Sequence, residues 1–491
     1  MPIKVAIIGA GSVGFTRRIV RDVLCVPELQ DTEFAFMDIN EKSVAITHQL
    51  CTRDVAAAGL PATITVYEDR RDALRDADYV FSFIRGGDLT ALEHDVDIPL
   101  KYGIDQCVAD TLAPGGIMYG QRAVPILLGI CKDISEVASP NCLMMSYSNP
   151  MAINTWACNK YGYGVRFVGL CHGVEHGFGQ ICRALGLPQE EVNYICAGIN
   201  HQTWFIRVEH KGEDLTGKIL EAFENDEDMM LNERLRIDVL RRLGYYSTES
   251  NGHLSEYLQW YRKRPEEMEQ WINPDVWSTG ETGGYLRAML ERADWYEEEV
   301  PRWLEEEPWS FGPEHRTAEH GSGIIEAIET GRIYRGHFNV INNGAISNLP
   351  ADCCVEVPGF VDRNGINIPR VGELPMGCAA VCSQTSFCQR LAMEAAVHGD
   401  DQWLRQAMML DPLTGAVATP PEIWQMTDEL LVAEEQWLPQ YDKSVFEAAR
   451  KRLAEQYVEP PGIRGPGRKP VRTPEELRKE QEDATKHVGE E

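Results

Sequence analysis

The sequence has no long apolar run. No segment reaches the ~18 consecutive apolar residues that a membrane-spanning helix requires, so we expect no transmembrane helix. The first residues, MPIKVAIIGAGSVG, also lack the basic leader, apolar core and small-residue cleavage site of an export signal. The sequence therefore predicts a cytoplasmic protein.

Basic residues are also scarce. The chain carries 47 Lys and Arg against 76 Asp and Glu, which gives a net charge of −29 at pH 7. This charge would repel the phosphates of nucleic acids and of anionic membranes. We therefore expect a small-molecule substrate, with neither nucleic acid nor a membrane as partner. An anionic substrate would need a local cluster of Arg or Lys.

The chain shows no internal repeat and no disulfide framework. Its 14 cysteines are scattered through 491 residues, and without an export signal this distribution is typical of free thiols. Hydrophobic residues at 43% and charged residues at 25% describe a globular protein, and the length exceeds that of one ordinary core. We therefore expect two domains.

The N-terminus carries a dinucleotide-binding pattern. The apolar run IKVAII predicts a buried parallel strand, and it leads into GAGSVG, where Gly9, Gly11 and Gly14 fit the G-x-G-x-x-G spacing. The third glycine is expected to let the following helix pack on the strand. A second strand, TEFAFMDIN, ends in Asp38, 24 residues after Gly14 and close to the ~20 expected for the acid that holds the ribose hydroxyls of NAD.

Three further apolar runs, at 76–84, 141–150 and 165–171, predict more strands of the same sheet. We therefore predict an α/β fold, with a Rossmann-like doubly wound parallel sheet over residues 1–196. A mixed α/β domain is predicted over 197–459.

Two segments of the C-terminal half are predicted to lie outside the core. The acidic, Trp-bearing stretch 264–311 has the composition of a solvated helical insertion. Residues 460–491 are rich in Pro, Gly and charge and cannot bury enough apolar surface to fold alone. We expect a flexible C-terminal tail or an arm that wraps an oligomer.

Cys171 and His201 are candidate metal ligands. A thiolate and an imidazole can bind a divalent ion, and two protein ligands leave room for substrate oxygens and water. Cysteine and histidine 30 residues apart are common in ordinary cores, so this spacing alone leaves both interpretations open.

Eight segments occur together in one order: GAGSVGF, MDIN, ADTLAPGGIMYGQR, SNPMAINTW, GLCHGV, AGINH, NNGAISNLP and QAMMLDP. In this combination the chain resembles family 4 of the glycoside hydrolases, the NAD- and divalent-metal-dependent glycosidases, and within it the α-galactosidases of the melibiase type. The resemblance extends from residue 1 to about residue 440.

The resemblance implies a second domain like the C-terminal domain of lactate and malate dehydrogenases, and a homodimer or homotetramer. It also implies a hydrolysis outside the two-carboxylate scheme. NAD would oxidise the sugar at C3, a base would remove the C2 proton beside a metal ion, commonly manganese, and the glycosidic oxygen would leave by elimination. Water would then add and the hydride would return, so that NAD is not consumed.

The family's metal ligands correspond to Cys171 and His201, with Asn200 placed at the substrate. The family's base is a tyrosine, and the match to SEYLQWY indicates Tyr257, with Tyr246 as the second choice. Core packing of these aromatics on one helical face is the alternative.

His172 could protonate the departing oxygen, since the ordinary pKa of histidine is ~6.5, or it could simply line the pocket. Asp110 is the second candidate acid, or else a turn-capping aspartate. Asn149 is expected at the substrate and the nicotinamide ribose, and Ser12 in the cofactor turn. Arg122 is expected to contact substrate, with a surface salt bridge as the alternative.

The substrate is predicted to be a non-phosphorylated sugar, because residue 172 is not the aspartate of the phosphosugar-specific members. The segment ADTLAPGGIM favours an α-galactoside. Gly173 departs from the serine of the melibiase type and is expected to enlarge the pocket, which leaves α-glucuronides, α-galacturonides and α-glucosides of the same family open. An NAD-dependent sugar or hydroxy-acid dehydrogenase is the alternative from another class.

Overall fold

Apolar runs form the strands of one mixed sheet in the computed structural model, which describes residues 2–293 and 295–480. The strands are β1 Lys4–Ile8, β2 Glu33–Met37, β3 Thr63–Val66, β4 Tyr79–Ser82, β5 Leu143–Ser146, β6 Arg166–Gly169, β7 Val192–Ile199, β8 Gln202–His210, β9 Glu213–Asp214, β10 Tyr246–Ser247, β11 Tyr334–Ile341, β12 Cys354–Asp362 and β13 Gly365–Asn367.

The helices flank this sheet and follow the strands along the chain. They are α1 Val13–Leu24, α2 Glu41–Ala57, α3 Arg70–Leu74, α4 Leu89–Lys101, α5 Ala113–Val137, α6 Met151–Tyr161, α7 Gly173–Leu185, α8 Ile219–Glu224, α9 Glu227–Asn232, α10 Arg234–Leu243, α11 Asn251–Tyr257, α12 Pro265–Trp271, α13 Gly284–Glu291, α14 Trp295–Glu305, α15 His320–Thr330, α16 Met376–His398, α17 Asp401–Leu410, α18 Pro412–Val417, α19 Pro420–Glu434 and α20 Lys443–Gln456.

The N-terminal half of the sheet is parallel and has the order β3-β2-β1-β4-β5-β6. This is the strand order of dinucleotide-binding folds, in which ligands bind at the carboxyl ends of the strands. Val5 and Ile7 of β1 enter the core on one face, and Ala6 and Ile8 enter the core on the other. The predicted Rossmann-like α/β class is confirmed.

The same sheet continues into the C-terminal half through antiparallel strands. Gly169 of β6 pairs with Asn339 of β11, and the order then runs β11-β12-β7-β8-β10. The domain boundary predicted at residue 196 falls inside β7, so the sheet is continuous across it. The division into 1–196 and 197–459 stays a prediction.

The segment 264–311 is less solvated than predicted. The ring of Trp309 lies 3.8 Å from the guanidinium carbon of Arg17 and 4.3 Å from that of Arg21, both on α1. Arg53 of α2 donates to the carbonyl oxygen of Trp303. These cation contacts hold part of the segment against the parallel half of the sheet.

Charged side chains in residues 460–472 of the predicted tail have partners elsewhere in the fold, and the flexible tail over 460–491 stays a prediction. Arg468 pairs with Asp97, and Arg472 pairs with Glu291. Residues 481–491, the remainder of the predicted tail, lie outside the described residues.

All fourteen cysteines are free, and Cys171 alone among them is partly exposed rather than buried. Burial of the others agrees with their expected behaviour as small hydrophobic residues. Within residues 2–293 and 295–480, the structure contains no helix with the length and apolar composition of a membrane span.

Candidate active site

Cys171 and His201 meet at the carboxyl edge of the parallel sheet. Cys171 follows β6 by two residues. His201 occupies the two-residue turn between β7 and β8, because Ile199 pairs directly with Gln202. Its φ of +61° lies in the left-handed region that such short hairpins require. The tight turn thus places the imidazole beside the strand end that carries the thiol.

Glu249 joins these two residues in a candidate metal centre. One ligand atom from each of the three residues lies within 4.8 Å of the others. His201 Nε2 is 3.5 Å and Cys171 Sγ is 4.0 Å from Glu249 Oε1. Ligands ~2.0–2.3 Å from a tetrahedral ion are separated by roughly 3.5 Å, so the three side chains fit one divalent cation. Glu249 was not predicted from the sequence.

Gly173 is what allows Glu249 to reach this position. A Cβ atom at residue 173 would lie 2.3 Å from Glu249 Oε1 and 3.7 Å from Cys171 Sγ. The expectation that the missing side chain enlarges the pocket is therefore wrong, because the carboxylate of Glu249 occupies the space.

A line of hydrogen bonds runs from Glu249 to Asn149. Glu249 Oε2 lies 3.2 Å from His253 Nδ1, and His253 Nε2 lies 3.2 Å from Asp110 Oδ1. Asn149 Nδ2 donates to Asp110 Oδ2 over 2.9 Å. The imidazole of His253 thus bridges two carboxylates. His253 was also missed, although its position four residues after Glu249 could have signalled that the two side chains meet.

The charges of this line stabilise one another. Burial alone would raise the pKa of Asp110 and Glu249, but hydrogen bonds and charges from histidine hold both pKa values well below their ordinary range. Burial likewise opposes the charge on His253, yet its bonds to Asp110 and Glu249 raise its pKa well above the ordinary value. These interactions therefore favour the charged form of all three side chains. Burial lowers the pKa of His201 to about 4, so His201 is neutral, the form that binds metals.

The glycine turn lies at the same edge, after β1. Gly9 has a φ of +90°, and a Cβ atom there would lie 2.8 Å from the backbone carbon of Phe83. The N–H of Gly11 donates to Asp38 Oδ2 over 2.7 Å, and Ser12 stands at the N-cap of α1 without a capping hydrogen bond. The turn, the acid and the helix N-terminus therefore come together as dinucleotide binding requires.

The surroundings of Gly14 are more open than predicted. A Cβ atom at this residue would meet nothing within 4 Å. Close packing between helix and strand therefore does not explain this glycine.

Comparison with family models decides the assignment. Residues 4–186 match the model described as family 4 glycosyl hydrolase, and residues 196–414 match that of its C-terminal domain. The chain belongs to family 4 of the glycosyl hydrolases. The predicted family and the predicted class of enzyme, a glycosidase, are thereby confirmed.

The chain is similar to curated members of family 4 over most of its length. It is 52% identical to an alpha-galactosidase of Rhizobium meliloti (strain 1021), with 98% of each chain covered. It is 34% identical to an alpha-galactosidase of Bacillus subtilis (strain 168) over 89% of this chain and 99% of the relative. The fold matches a 6-phospho-alpha-glucosidase from gut microorganisms in complex with NAD and Mn²⁺, with a TM-score of 0.75, 20% identity, and coverage of 90% of this chain and all of the other.

Tyr257 lies on the far side of His201 in this family 4 chain. Its hydroxyl is 3.2 Å from His201 Nδ1, whereas Nε2 of the same ring faces Glu249. Burial, followed by the charge of Asp110, raises the pKa of Tyr257 well above its ordinary value. This placement suits a residue that orients His201 rather than one that accepts a proton. The second choice, Tyr246, donates to Gln180 in a separate core cluster and does not reach the site.

Arg122 does not contact the site. Its guanidinium is buried and donates to Asp95, Glu434 and the carbonyl of Gly86. The prediction of a substrate contact is wrong because acids from two other helices take up these donors. The surface salt bridge considered as its alternative is wrong as well, since the cluster is fully buried.

Asn200 and His172 differ in their exposure to solvent. Asn200 is fully buried, and its amide donates to Glu356 over 3.4 Å, so the predicted substrate contact is not supported. His172 is exposed at the N-cap of α7 and makes no capping hydrogen bond. It therefore remains free to act at the mouth of the site.

Arg85 is a cation that was not predicted from the sequence. Its guanidinium carbon lies 5.0 Å from the ring of Tyr119 and 5.5 Å from that of Tyr285. Among the described residues it forms no salt bridge, although its charge acts on Asp110. The signal that could have found it is its place just after β4, at the edge where ligands bind.

Proposed function

We propose that this family 4 glycosyl hydrolase cleaves non-phosphorylated α-galactosides with NAD and a divalent metal ion, and consumes neither. The observation that carries the proposal is that Cys171, His201 and Glu249 converge at the same carboxyl edge of the sheet as the glycine turn. The 52% identity to an alpha-galactosidase supports the choice of sugar.

The residues present fit both groups. Cys171, His201 and Glu249 would hold the ion, which polarises oxygens next to the carbon that loses its proton. The turn from Gly9 to Ser12, with Asp38, would hold NAD, which supplies reversible oxidation of the sugar hydroxyl at C3. A thiolate ligand runs against the preference of manganese for oxygen donors, so the identity of the ion is itself part of the test.

The chain's own groups handle the protons. Asn149 and His253 position the two oxygens of Asp110, to which we assign acceptance of the C2 proton. His172, exposed at the mouth, donates to the departing glycosidic oxygen. Tyr257 orients His201 through Nδ1.

A second candidate substrate is an α-linked uronide. Arg85 favours it, because a guanidinium without a carboxylate partner can bind the carboxylate of a uronic acid bidentately. A neutral galactoside would instead receive hydrogen bonds from the same group.

The test is release of 4-nitrophenol from α- and β-galactosides, glucosides and glucuronides, and an α-galacturonide, under reducing conditions. NAD and manganese are each omitted in turn, and cobalt, nickel and zinc replace manganese in parallel. We expect hydrolysis of the α-galactoside that needs both additions, without accumulation of NADH. Steady formation of NADH without hydrolysis would indicate a dehydrogenase and refute the proposal.

We also propose a homodimer or homotetramer in the cytoplasm. Met376 and Phe387 of α16, exposed by 88% and 52%, offer apolar surface for contact between chains. Fourteen free thiols suit a reducing compartment. Light scattering on the purified protein should give a mass of two or four chains, and cell fractionation should recover the activity with cytoplasmic markers.

A further inference from the structure

The segment 460–472 is a concentration of positive charge in an acidic chain. It contains Arg464, Arg468, Lys469 and Arg472, with no acidic residue, and it also contains four prolines and three glycines. It lies beyond residue 414, where the match to the family model ends. Hereafter this segment is called the basic strap.

One end of the basic strap is bound to α4. The N–H of Gly462 donates to the carbonyl of Lys101, the last residue of that helix, over 2.9 Å. Arg468 Nη1 donates to Asp97 Oδ2 over 2.7 Å. Side-chain ion pairs replace regular secondary structure here, because the prolines lack backbone donors.

The other end is bound to the segment that carries α13. Lys469 donates to Asp275 over 2.9 Å. Arg472 donates three hydrogen bonds to the carboxylate of Glu291, the last residue of α13. They come from Nε at 2.9 Å, Nη2 at 2.8 Å and the backbone N–H at 3.1 Å. The carboxylate of Glu291 is only 5% exposed, so this bidentate pair is the strongest contact of the strap.

The helix held in this way reaches the candidate active site. Tyr285 lies in the first turn of α13, its N–H donates to the carbonyl of Cys107, and its ring lies 5.5 Å from the guanidinium of Arg85. Leu286 and Leu290 pack α13 against α4. A shift of α13 would therefore move one wall of the Arg85 site.

We propose that the basic strap is an intramolecular clasp that fixes α13 on α4 and thereby positions Tyr285 and Arg85 for the sugar. Arg472 is the positioning residue on which the clasp depends. The inference rests on the proposed function only in that the sugar binds beside Arg85. Because salt screens ion pairs, the clasp should loosen as ionic strength rises.

The test compares Arg472→Gln with Arg472→Lys in the full chain. Lys479→Gln is the control, because it removes one exposed positive charge from the same C-terminal region. Hydrogen exchange of peptides from 280–292 is measured in the absence of cofactors. In Arg472→Gln we expect exchange about fivefold faster, within the range of coupled charge pairs, with partial recovery in Arg472→Lys and no change in Lys479→Gln.

The kinetic test compares the change in KM with the change in kcat. In Arg472→Gln the KM for the glycoside should rise about fivefold and kcat should stay within about twofold, since the reacting groups are untouched. Glu291→Gln, which also loses the pair with Arg287, should change both readouts at least as much, and the double variant should be no worse than Glu291→Gln alone. Unchanged exchange in Arg472→Gln, or equal effects in Lys479→Gln, would overturn the clasp. Failure of the wild type to hydrolyse any glycoside would refute the proposed function and leave the exchange comparison valid.

Discussion

Two clusters of ionisable side chains lie behind the carboxyl edge of the sheet and differ in how their charges are satisfied. In the first, Arg122 is enclosed by Asp95 and Glu434, and all three side chains are at most 2% exposed. In the second, Cys171, His201 and Glu249 direct ligand atoms toward one point, with Cys171 and Glu249 reaching the surface in part. One cluster is closed and the other is open.

The comparison shows what separates a structural from a functional cluster. In the closed cluster the donors of the arginine already have protein acceptors, so it can only join α4, α5 and α19. In the open cluster one carboxylate oxygen of Glu249 meets His253, while the other faces Cys171 and His201 in an arrangement that fits a metal ion. Burial alone does not distinguish the two.

The largest expected effects come from one substitution in each cluster, which should lower activity in one case and stability in the other. Cys171→Ala should lower metal-dependent hydrolysis by about 10²- to 10⁴-fold, the range for loss of a catalytic group, with little change in metal-free stability. Arg122→Gln should lower the free energy of unfolding by about 3 kcal/mol, because two buried acids lose their partner. Thermal unfolding without metal and hydrolysis with metal measure the two effects. If Cys171→Ala unfolds as readily as Arg122→Gln, the distinction is wrong.

A smaller effect is expected from displacing Glu249 alone. Gly173→Ala puts a methyl group into the space of its carboxylate and should weaken metal binding by about 10- to 100-fold. Gly179→Ala, on the same helix, is the matched control, because its Cβ would meet only Gln189 Nε2 at 3.5 Å. Manganese titration followed by calorimetry measures both. Equal affinities in the two variants would contradict this role for Gly173.

Tyr257→Phe tests whether the tyrosine orients His201 in the open cluster. If the phenol orients His201, the variant should bind metal less tightly but recover to within about tenfold of wild-type rate when metal is saturating. Asp110→Asn should lose activity that excess metal does not restore. If Tyr257→Phe stays inactive at saturating metal, the base is Tyr257 and not Asp110.

The smallest expected effect is the pH dependence of hydrogen exchange in α13, which the clasp holds. Burial alone would raise the pKa of Glu291, but its bonds to Arg472 and Arg287 lower it to about 2. A carboxylate with a lowered pKa stabilises the fold above its ordinary value of ~4.3, and this contribution fades as pH falls toward 2. Intrinsic-rate-corrected exchange of α13 should therefore be constant between pH 5 and pH 8 and rise in ~1 M salt. A change between pH 6 and pH 8 would contradict the assignment.

The parallel half of the fold was predictable because its signals are local. The run before Gly9, the glycine turn and Asp38 all fall within one strand-helix-strand unit, in which the N–H of Gly11 donates to Asp38. Cys171 and His201 were located by family resemblance, and the structure brings them together.

Sequence patterns were least informative where partners are distant along the chain. Arg122 pairs with Asp95 at a separation of 27 residues and with Glu434 at 312, and no pattern in the sequence links them. The tail was predicted to be flexible from composition alone, whereas the acid that holds Arg472 lies 181 residues before it. Composition reports how much apolar surface a segment can bury and does not report the position of its ionic partners.

The central claim is that hydrolysis proceeds through oxidation at C3 and removal of the proton at C2. The most direct measurement is hydrolysis of an α-galactoside in D₂O with NAD and manganese, followed by NMR of the released sugar. The account predicts deuterium at C2 of the product, because the removed proton exchanges with solvent before the carbon is reprotonated. Complete hydrolysis with only hydrogen at C2 would contradict it.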